Sequence, residues 1–203
     1  MKYRTEQENF WVGKFGQEYM ERNGFRLHFY SKVIAWSQIL KRINSIQSVK
    51  EFGCNIGLNL SAINKLKPNI DLSGIEINPD AAKRASELNI ADIQVGTILD
   101  EMPHDPVDLT FTFGVLIHIE PNHLQTVYKN LVNNSKKYVL VVEYFNPTPT
   151  THVYRGHSNK LFKRDFAGEL MDGFNLKLID YSFIYSRDNV APSDNFTWFL
   201  MEK

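Results

Sequence analysis

From residue 48 onward, apolar and polar positions alternate in two kinds of run. Residues 49–52, 71–77, 90–95, 107–113 and 137–145 are short, rich in β-branched and aromatic side chains, and end in turn residues. Between them, 58–66, 79–88 and 121–132 carry apolar residues at helical spacing. Strands that alternate with helices build βαβ units on a parallel sheet. Pro79 and Pro121 stand where a helix begins, the position at which a missing N–H costs least. The last third departs from this rhythm. Residues 164–173 predict a short helix closed by Gly173. Two strand-like runs, 176–186 and 195–203, then follow with only the polar stretch RDNVAPSD between them. The sheet is therefore expected to finish in an antiparallel hairpin. Ahead of it, residues 6–23 and 25–44 predict two helices separated at Asn23-Gly24, with Trp11, Phe15 and Tyr19 on one face. The expected organisation is an α/β domain over 48–203, doubly wound and mostly parallel, with an N-terminal helical arm over 1–47.

Composition narrows function more than fold. The chain has 203 residues, 43% of them hydrophobic, which suits one domain with a large core and excludes a disordered chain. A lone cysteine, Cys54, excludes an internal disulfide and a cysteine-based zinc cluster, and the six histidines show no ligand spacing, so no metal is expected. No apolar run approaches the roughly 20 residues that span a bilayer, and the first residues do not resemble a signal peptide. A cytoplasmic protein without membrane contact is expected. The 23 basic residues equal the 23 acidic ones, which disfavours a nucleic-acid partner. The charge is unevenly placed, however. Residues 1–50 hold nine Lys/Arg against four Glu, a net +5. That excess marks either solvated amphipathic helices or an arm that helps hold an anionic group.

The most informative stretch is Glu51-Phe52-Gly53-Cys54-Asn55-Ile56-Gly57, where a strand enters a Gly-spaced turn ahead of a helix. Gly53 permits a tight turn, Gly57 a close approach at the helix start, and Asn55 is the non-glycine residue that best tolerates a left-handed backbone. Backbone N–H groups in such a turn cradle a polar ligand. Glu51 is misplaced for a pyrophosphate and well placed for an ammonium. Glu76 ends the next strand 19 residues after Gly57, the spacing at which an acid accepts both hydrogen bonds of a ribose diol.

Together these residues resemble the S-adenosylmethionine-dependent class I methyltransferases over roughly 48–203. The resemblance implies a Rossmann-like, seven-stranded sheet closed by an antiparallel hairpin, with S-adenosyl-L-methionine as cofactor. It places Glu51, Gly53, Cys54, Asn55 and Gly57 around the methionine part, Glu76 on the ribose, and Ile77, Thr97 and Ile98 by the adenine. Phe113 and Gly114 fall near the sulfonium. Thr97 stands where many members carry Asp. Three segments, TEQENFWVGKFGQEYMERN, EFGCNIGLN and YRGHSNKLFKRDF, look like the pseudaminic acid biosynthesis-associated methylase family. That narrower resemblance implies a small-molecule acceptor of the sugar or nonulosonic acid kind, in surface-glycan biosynthesis.

Methyl transfer is chiefly a matter of alignment, with a base where the acceptor must lose a proton. His118 follows the fourth strand at the ligand-binding edge of the sheet; the alternative is a histidine packed beneath the cofactor loop. Glu143 ends an apolar run and must have a partner, either an acceptor hydroxyl or a structural one. Tyr144, beside Glu143 at the end of the fifth strand, is a candidate acceptor contact; on what reads as an exposed loop after NPTPTT, Tyr154 is another, Arg155 offers a fork for carboxylate or phosphate, and His157 is a candidate base. In the arm, Trp11, Tyr19 and Arg22 are candidates for closing over the cofactor, the latter two at its carboxylate. Two rival classes are an NAD(P)-dependent oxidoreductase, disfavoured by Glu51 and the terminal hairpin, and a cofactor-binding protein without turnover. No oligomeric state follows from the sequence.

Overall fold

The computed structural model describes residues 3–22 and 25–203. Five parallel strands form its centre: β1 (Ser48–Phe52), β2 (Asp71–Glu76), β3 (Asp92–Val95), β4 (Val107–Phe113) and β5 (Ser135–Glu143). A separate two-stranded sheet, β6 (Thr150–Tyr154) with β7 (His157–Lys163), follows, and β8 (Lys177–Phe183) and β9 (Thr197–Glu202) return to the main sheet. Its strand order is β3-β2-β1-β4-β5-β9-β8, with β9 antiparallel to both neighbours. The order reverses between β1 and β4, and open α/β sheets bind ligands outside the carboxyl ends of the strands at such a point. All seven residues of β4 are buried, as a strand covered on both faces requires. Its Thr110 satisfies its hydroxyl by donating to Leu131 O at 2.9 Å.

Among the described residues, seven α-helices surround the sheet: α1 (Glu6–Val12), α2 (Lys14–Arg22), α3 (Phe25–Leu40), α4 (Leu58–Leu66), α5 (Pro79–Ser86), α6 (Leu124–Asn133) and α7 (Phe166–Phe174). None is long and apolar enough to cross a membrane among the described residues. Helix α5 starts as its sequence dictates. Asn78 Oδ1 accepts from the N–H groups of Asp80 and Ala81 at 3.0 and 3.3 Å, and Pro79 takes the first helical position. Pro121 likewise opens a 3₁₀ turn that leads into α6.

Four expectations are corrected. The helix expected over 6–23 is two helices, because the chain at Gly13 is extended (ψ −162°) and caps α1. Trp11, Phe15 and Tyr19 still cluster across the break, with Trp11 5.5 Å from Phe15 and 5.1 Å from Tyr19 between ring centres. The stop at Asn23-Gly24 lies outside the described residues. Helix α3 ends at Leu40 rather than at 44. Gly173 lies inside α7, whose left-handed cap is Asn175 (φ +55°). The stretch read as an exposed loop is the β6–β7 hairpin, turned by Arg155 (φ +48°) and Gly156 (φ +85°), a two-residue turn with both φ positive that matches the twist of the strands.

The three arm helices divide between two tasks. Helix α3 belongs to the core. Trp36 is fully buried, meets Phe111 edge-on at 4.7 Å, and donates through Nε1 to Asn59 Oδ1 at 3.2 Å. Ile39 and Leu40 join the same cluster as Val49 of β1 and Leu109 of β4. Helices α1 and α2 lie over the strand ends instead, where Met20 packs on Ile56 and Ala81. Trp36→Ala is therefore expected to cost about 3–5 kcal/mol in a urea unfolding series, the range for deleting a large aromatic from a core; a separable arm would leave the transition of the sheet domain unmoved.

Candidate functional site

The turn after β1 is held in a shape that few sequences allow. Gly53 (φ +79°), Asn55 (φ +47°) and Gly57 (φ +78°) are all left-handed. A Cβ on Gly53 would stand 2.7 Å from Val115 Cγ2, so both the conformation and the space demand glycine. The N–H groups of Gly53 and Cys54 donate to Ile75 O at 2.8 and 3.1 Å, binding the turn to β2. The N–H of Asn55 donates to Glu76 Oε2 at 2.7 Å, and that of Asn78 to Glu76 Oε1 at 2.8 Å. Burial raises the Glu76 carboxyl above its ordinary value, against the pull of these bonds. The side-chain oxygen of Asn55 is buried without a partner.

Glu76 and Asn55 stand in the wall of a cavity of about 920 Å³, its open mouth included. Ile77, Thr97, Ile98, Phe113, Gly114, Gly53 and His118 also line it from the strand ends, and Trp11 and Tyr19 from above. Two further residues were not singled out from the sequence. Glu8 of α1 lines the cavity with a buried carboxylate, which accepts from the Thr97 hydroxyl and closes a capping box with Thr5. The T-x-x-E pattern of residues 5–8 was the available signal. Asn78 donates through Nδ2 to Trp11 O at 3.0 Å, fastening the end of α1 to the β2 turn.

Other expected residues lie outside the cavity wall. Cys54 is buried beneath Gly74, where an added Cβ would sit 2.8 Å from its sulfur. Gly57 caps α4 and faces α5. Glu51 is buried and accepts from Asn59 Nδ2 at 2.6 Å. Arg22 is exposed, 3.6 Å from Glu18, with its guanidinium 5.3 Å from the Phe15 ring centre.

His118 closes a 3₁₀ turn, Leu116–His118, and is 5% exposed. Its Nδ1 is 2.6 Å from Lys160 O, and since a carbonyl only accepts, the proton of the neutral ring sits on Nδ1. Trp11 and Tyr154 each approach the imidazole at 4.8 Å. Burial pushes its pKa down to about 4. The ring is thus a neutral hydrogen-bond acceptor near pH 7 and a weak base. Glu143 anchors the same turn, accepting from the N–H groups of Val115 and Leu116 at 3.1 Å and of Ile117 at 3.3 Å. Its partners are the backbone of the turn rather than an open space.

The β6–β7 hairpin meets the arm across the cavity. Gln7 Nε2 donates to Asn159 O at 3.0 Å, Lys160 pairs with Glu6, and His157 lies 4.9 Å from Phe10. His157 is exposed on this junction. Tyr144 stacks on Phe196 at 4.8 Å. Burial raises the phenol pKa of Tyr19; Tyr154 and Asp194 add to the shift, and Arg155 and Arg22 oppose it. Side chains of the arm, the hairpin and the β8–β9 loop therefore converge on one region.

This strand order, with its antiparallel closing pair and ligand cavity at the switch point, is the Rossmann-like fold of the S-adenosylmethionine-dependent methyltransferases. The chain is similar in structure to 1,6-didemethyltoxoflavin-N1-methyltransferase of Burkholderia thailandensis, with a TM-score of 0.74 at 11% identity over 100% of this chain and 92% of that one. Magnesium protoporphyrin IX methyltransferase of Synechocystis PCC 6803 gives 0.70 at 11% identity over 97% of each chain. Both of those structures hold S-adenosylhomocysteine. A methyltransferase from Archaeoglobus fulgidus gives 0.68 at 13% identity, over 94% of this chain and 100% of that one. No family model matches the chain, and no curated protein matches its sequence.

The buried imidazole carries a pH dependence. Because the folded pKa of His118 lies below its unfolded value of 6.5, its contribution to stability is present above pH 6.5 and lost as pH falls to about 4. In His118→Asn, which keeps a donor for Lys160 O, the unfolding free energy from urea titration is expected to fall less steeply over that window, by about 3 kcal/mol in total. Glu51 and Glu143, with pKa values raised to about 8 and 7, drive the opposite trend, and the difference between the two proteins isolates the histidine.

Proposed function

We propose that this protein is an S-adenosylmethionine-dependent methyltransferase whose acceptor is a small polar molecule, of the sugar or nonulosonic acid kind, made for surface glycans. The carrying observation is the left-handed Gly53–Asn55–Gly57 turn closed onto Glu76 in the wall of a ligand-sized cavity. The residues present fit the cofactor. Glu76 is a buried carboxylate for a vicinal diol, Ile77 and Ile98 are apolar walls for a purine, and Gly53 and Gly114 leave backbone open to a slender chain. The unpartnered oxygen of Asn55 is a buried acceptor awaiting a donor.

Bound there, the cofactor supplies a methyl group on a sulfonium, already activated for in-line displacement. The chain's share is to bind, align and exclude water. Trp11 and Tyr19 roof the cavity, with Tyr154 beside His118. His118, with its unprotonated Nε2, holds an acceptor donor by hydrogen bond, and His157 is the group of ordinary exposure left to take a proton. Glu143 serves this arrangement by holding the turn that carries His118. Tyr144, Tyr154 and Arg155 are assigned to the acceptor. Arg155 and Arg22 near Tyr19 suit an anionic sugar, in keeping with the resemblance of the three sequence segments.

Calorimetric titration with S-adenosylhomocysteine tests the reading. The unaltered protein is expected to bind it, and Glu76→Gln to bind it about tenfold or more weakly, because a charged acceptor of hydrogen bonds is lost. NAD(H) and NADP(H) are expected to leave the melting temperature unmoved. A shift with nicotinamide cofactors alone would replace the methyltransferase reading by a dehydrogenase one. Binding without transfer of labelled methyl to any nonulosonic or nucleotide-activated sugar would remove the proposed acceptor class.

A further inference from the structure

A strand with one covered face normally turns its apolar residues toward the cover and its polar ones to water. Strand β8 does the reverse. Register partners on neighbouring strands share a face, so Leu178, Tyr181 and Phe183 stand with Met201, Phe199 and Thr197 of β9. Lys177, Asp180 and Ser182 stand on the other face, with Glu202, Leu200 and Trp198. A bulge at Ile179 is what brings Leu178 into phase with Tyr181. The polar set lies on the covered side. Trp198 and Leu200 are buried there, and Asp180 pairs with Arg42, just beyond α3, at 2.7 Å. The apolar set faces solvent, with Tyr181 60%, Phe183 55% and Leu178 43% exposed. Neighbouring rings widen this surface. Phe199 lies between Tyr181, stacked at 5.8 Å, and Phe145, at 5.6 Å. Phe183 meets Tyr185 at 5.9 Å. Phe145 and Tyr185 are themselves nearly half exposed.

We propose that this aromatic face is the contact of a homodimer, in which β8 and β9 of one copy pack on the same strands of a second copy about a two-fold axis. The inference stands apart from the methyltransferase reading and does not depend on it.

The area favours a second copy. A fully covered aromatic side chain buries roughly 150–250 Å², so the exposed parts of these residues amount to on the order of 500 Å². That is most of the about 800 Å² that each side of a stable interface contributes, and the rim around the patch supplies the rest. Charge favours it as well. No β8 residue on this face is charged, and the centres of interfaces are depleted in charge. A two-fold contact sets a patch against itself, so like charges at its centre would repel, whereas aromatic rings meet their like without penalty. Such a face calls for no partner of opposite charge, and a copy of the chain presents the same surface at the same concentration.

Sedimentation equilibrium and light scattering on the full chain test the dimer. The unaltered protein is expected to be dimeric at about 50 µM, a concentration that populates even a micromolar contact. Because only the native form associates, its melting temperature is expected to rise by about 1–3 °C for each tenfold increase in concentration. Tyr181→Glu and Phe183→Glu each place an unpaired carboxylate in the contact and are expected to be monomeric. They are also expected to unfold cooperatively at a temperature that does not change with concentration, which reports that the variants are folded. Tyr30→Glu alters an exposed ring on α3, outside this face, and is expected to remain dimeric. A monomeric unaltered protein at the stated concentration, or dimers that survive both β8 substitutions, would overturn the proposal. Dissociation by Tyr30→Glu to the same degree would also overturn it, because the loss would then not belong to this face.

Discussion

Two backbone N–H groups, from Asn55 and Asn78, end on the single buried carboxylate of Glu76. Most of the candidate site is suspended from that convergence. The first bond holds the left-handed turn after β1, which a chain with a side chain at Gly53 could not enter. The second orients Asn78, whose side chain starts α5 and also reaches Trp11 O to fix the end of α1. A carboxylate so placed joins β1, β2, α5 and the arm at one point. It is kept from water by the apolar walls beside it, and its charge is tolerated because backbone dipoles converge on it.

The roof follows from this floor. Once α1 is tied at Trp11 and Glu8, Met20 can settle on Ile56 and Ala81, and Phe10 and Phe15 meet His157 of the hairpin. The hairpin is in turn held to the turn after β4 through Lys160 O and His118, while Glu143 secures that turn from below. Two segments distant in sequence thus close over one cavity without a common secondary structure. Their contacts are aromatic edges and a few polar bonds, an arrangement that suits a covering able to open more readily than the sheet beneath it.

Much of the fold was legible along the chain. The alternation of strand and helix, the prolines that open α5 and the turn before α6, and the hairpin without an intervening helix all appear in the sheet as expected. The misplaced boundaries share a cause. Gly13 and Gly173 invite opposite conclusions from the same residue type. Gly13 caps a helix because the chain must turn there toward the β2 turn, and Gly173 continues one because Asn175 is available for the left-handed cap. The Pro- and Thr-rich stretch before residue 152 hid a hairpin, since its signal is the short Arg155-Gly156 pair rather than hydrophobic alternation. In the site, Glu76 and the glycine turn were readable because spacing along βαβ units is nearly constant. Glu8 was not, because its role comes from what it meets across the fold.

By itself, then, the sequence determined which residues must turn left-handed, which acid closes the first βαβ unit, and that parallel strands end in an antiparallel pair. These are local matters of backbone sterics and hydrophobic period, and they act over a few residues. Only the tertiary structure decided how the arm divides, with α3 in the core through Trp36 and α1–α2 over the cavity. It also decided that Glu143 serves a turn and that His118 is neutral. It set the Lys32 ammonium on the face of the Phe113 ring. These outcomes depend on burial and on partners 27 to 107 positions away along the chain. The opening charge balance shows the same division: the +5 of the first fifty residues is a count, and where those charges fall against aromatic rings and buried acids is a property of the fold.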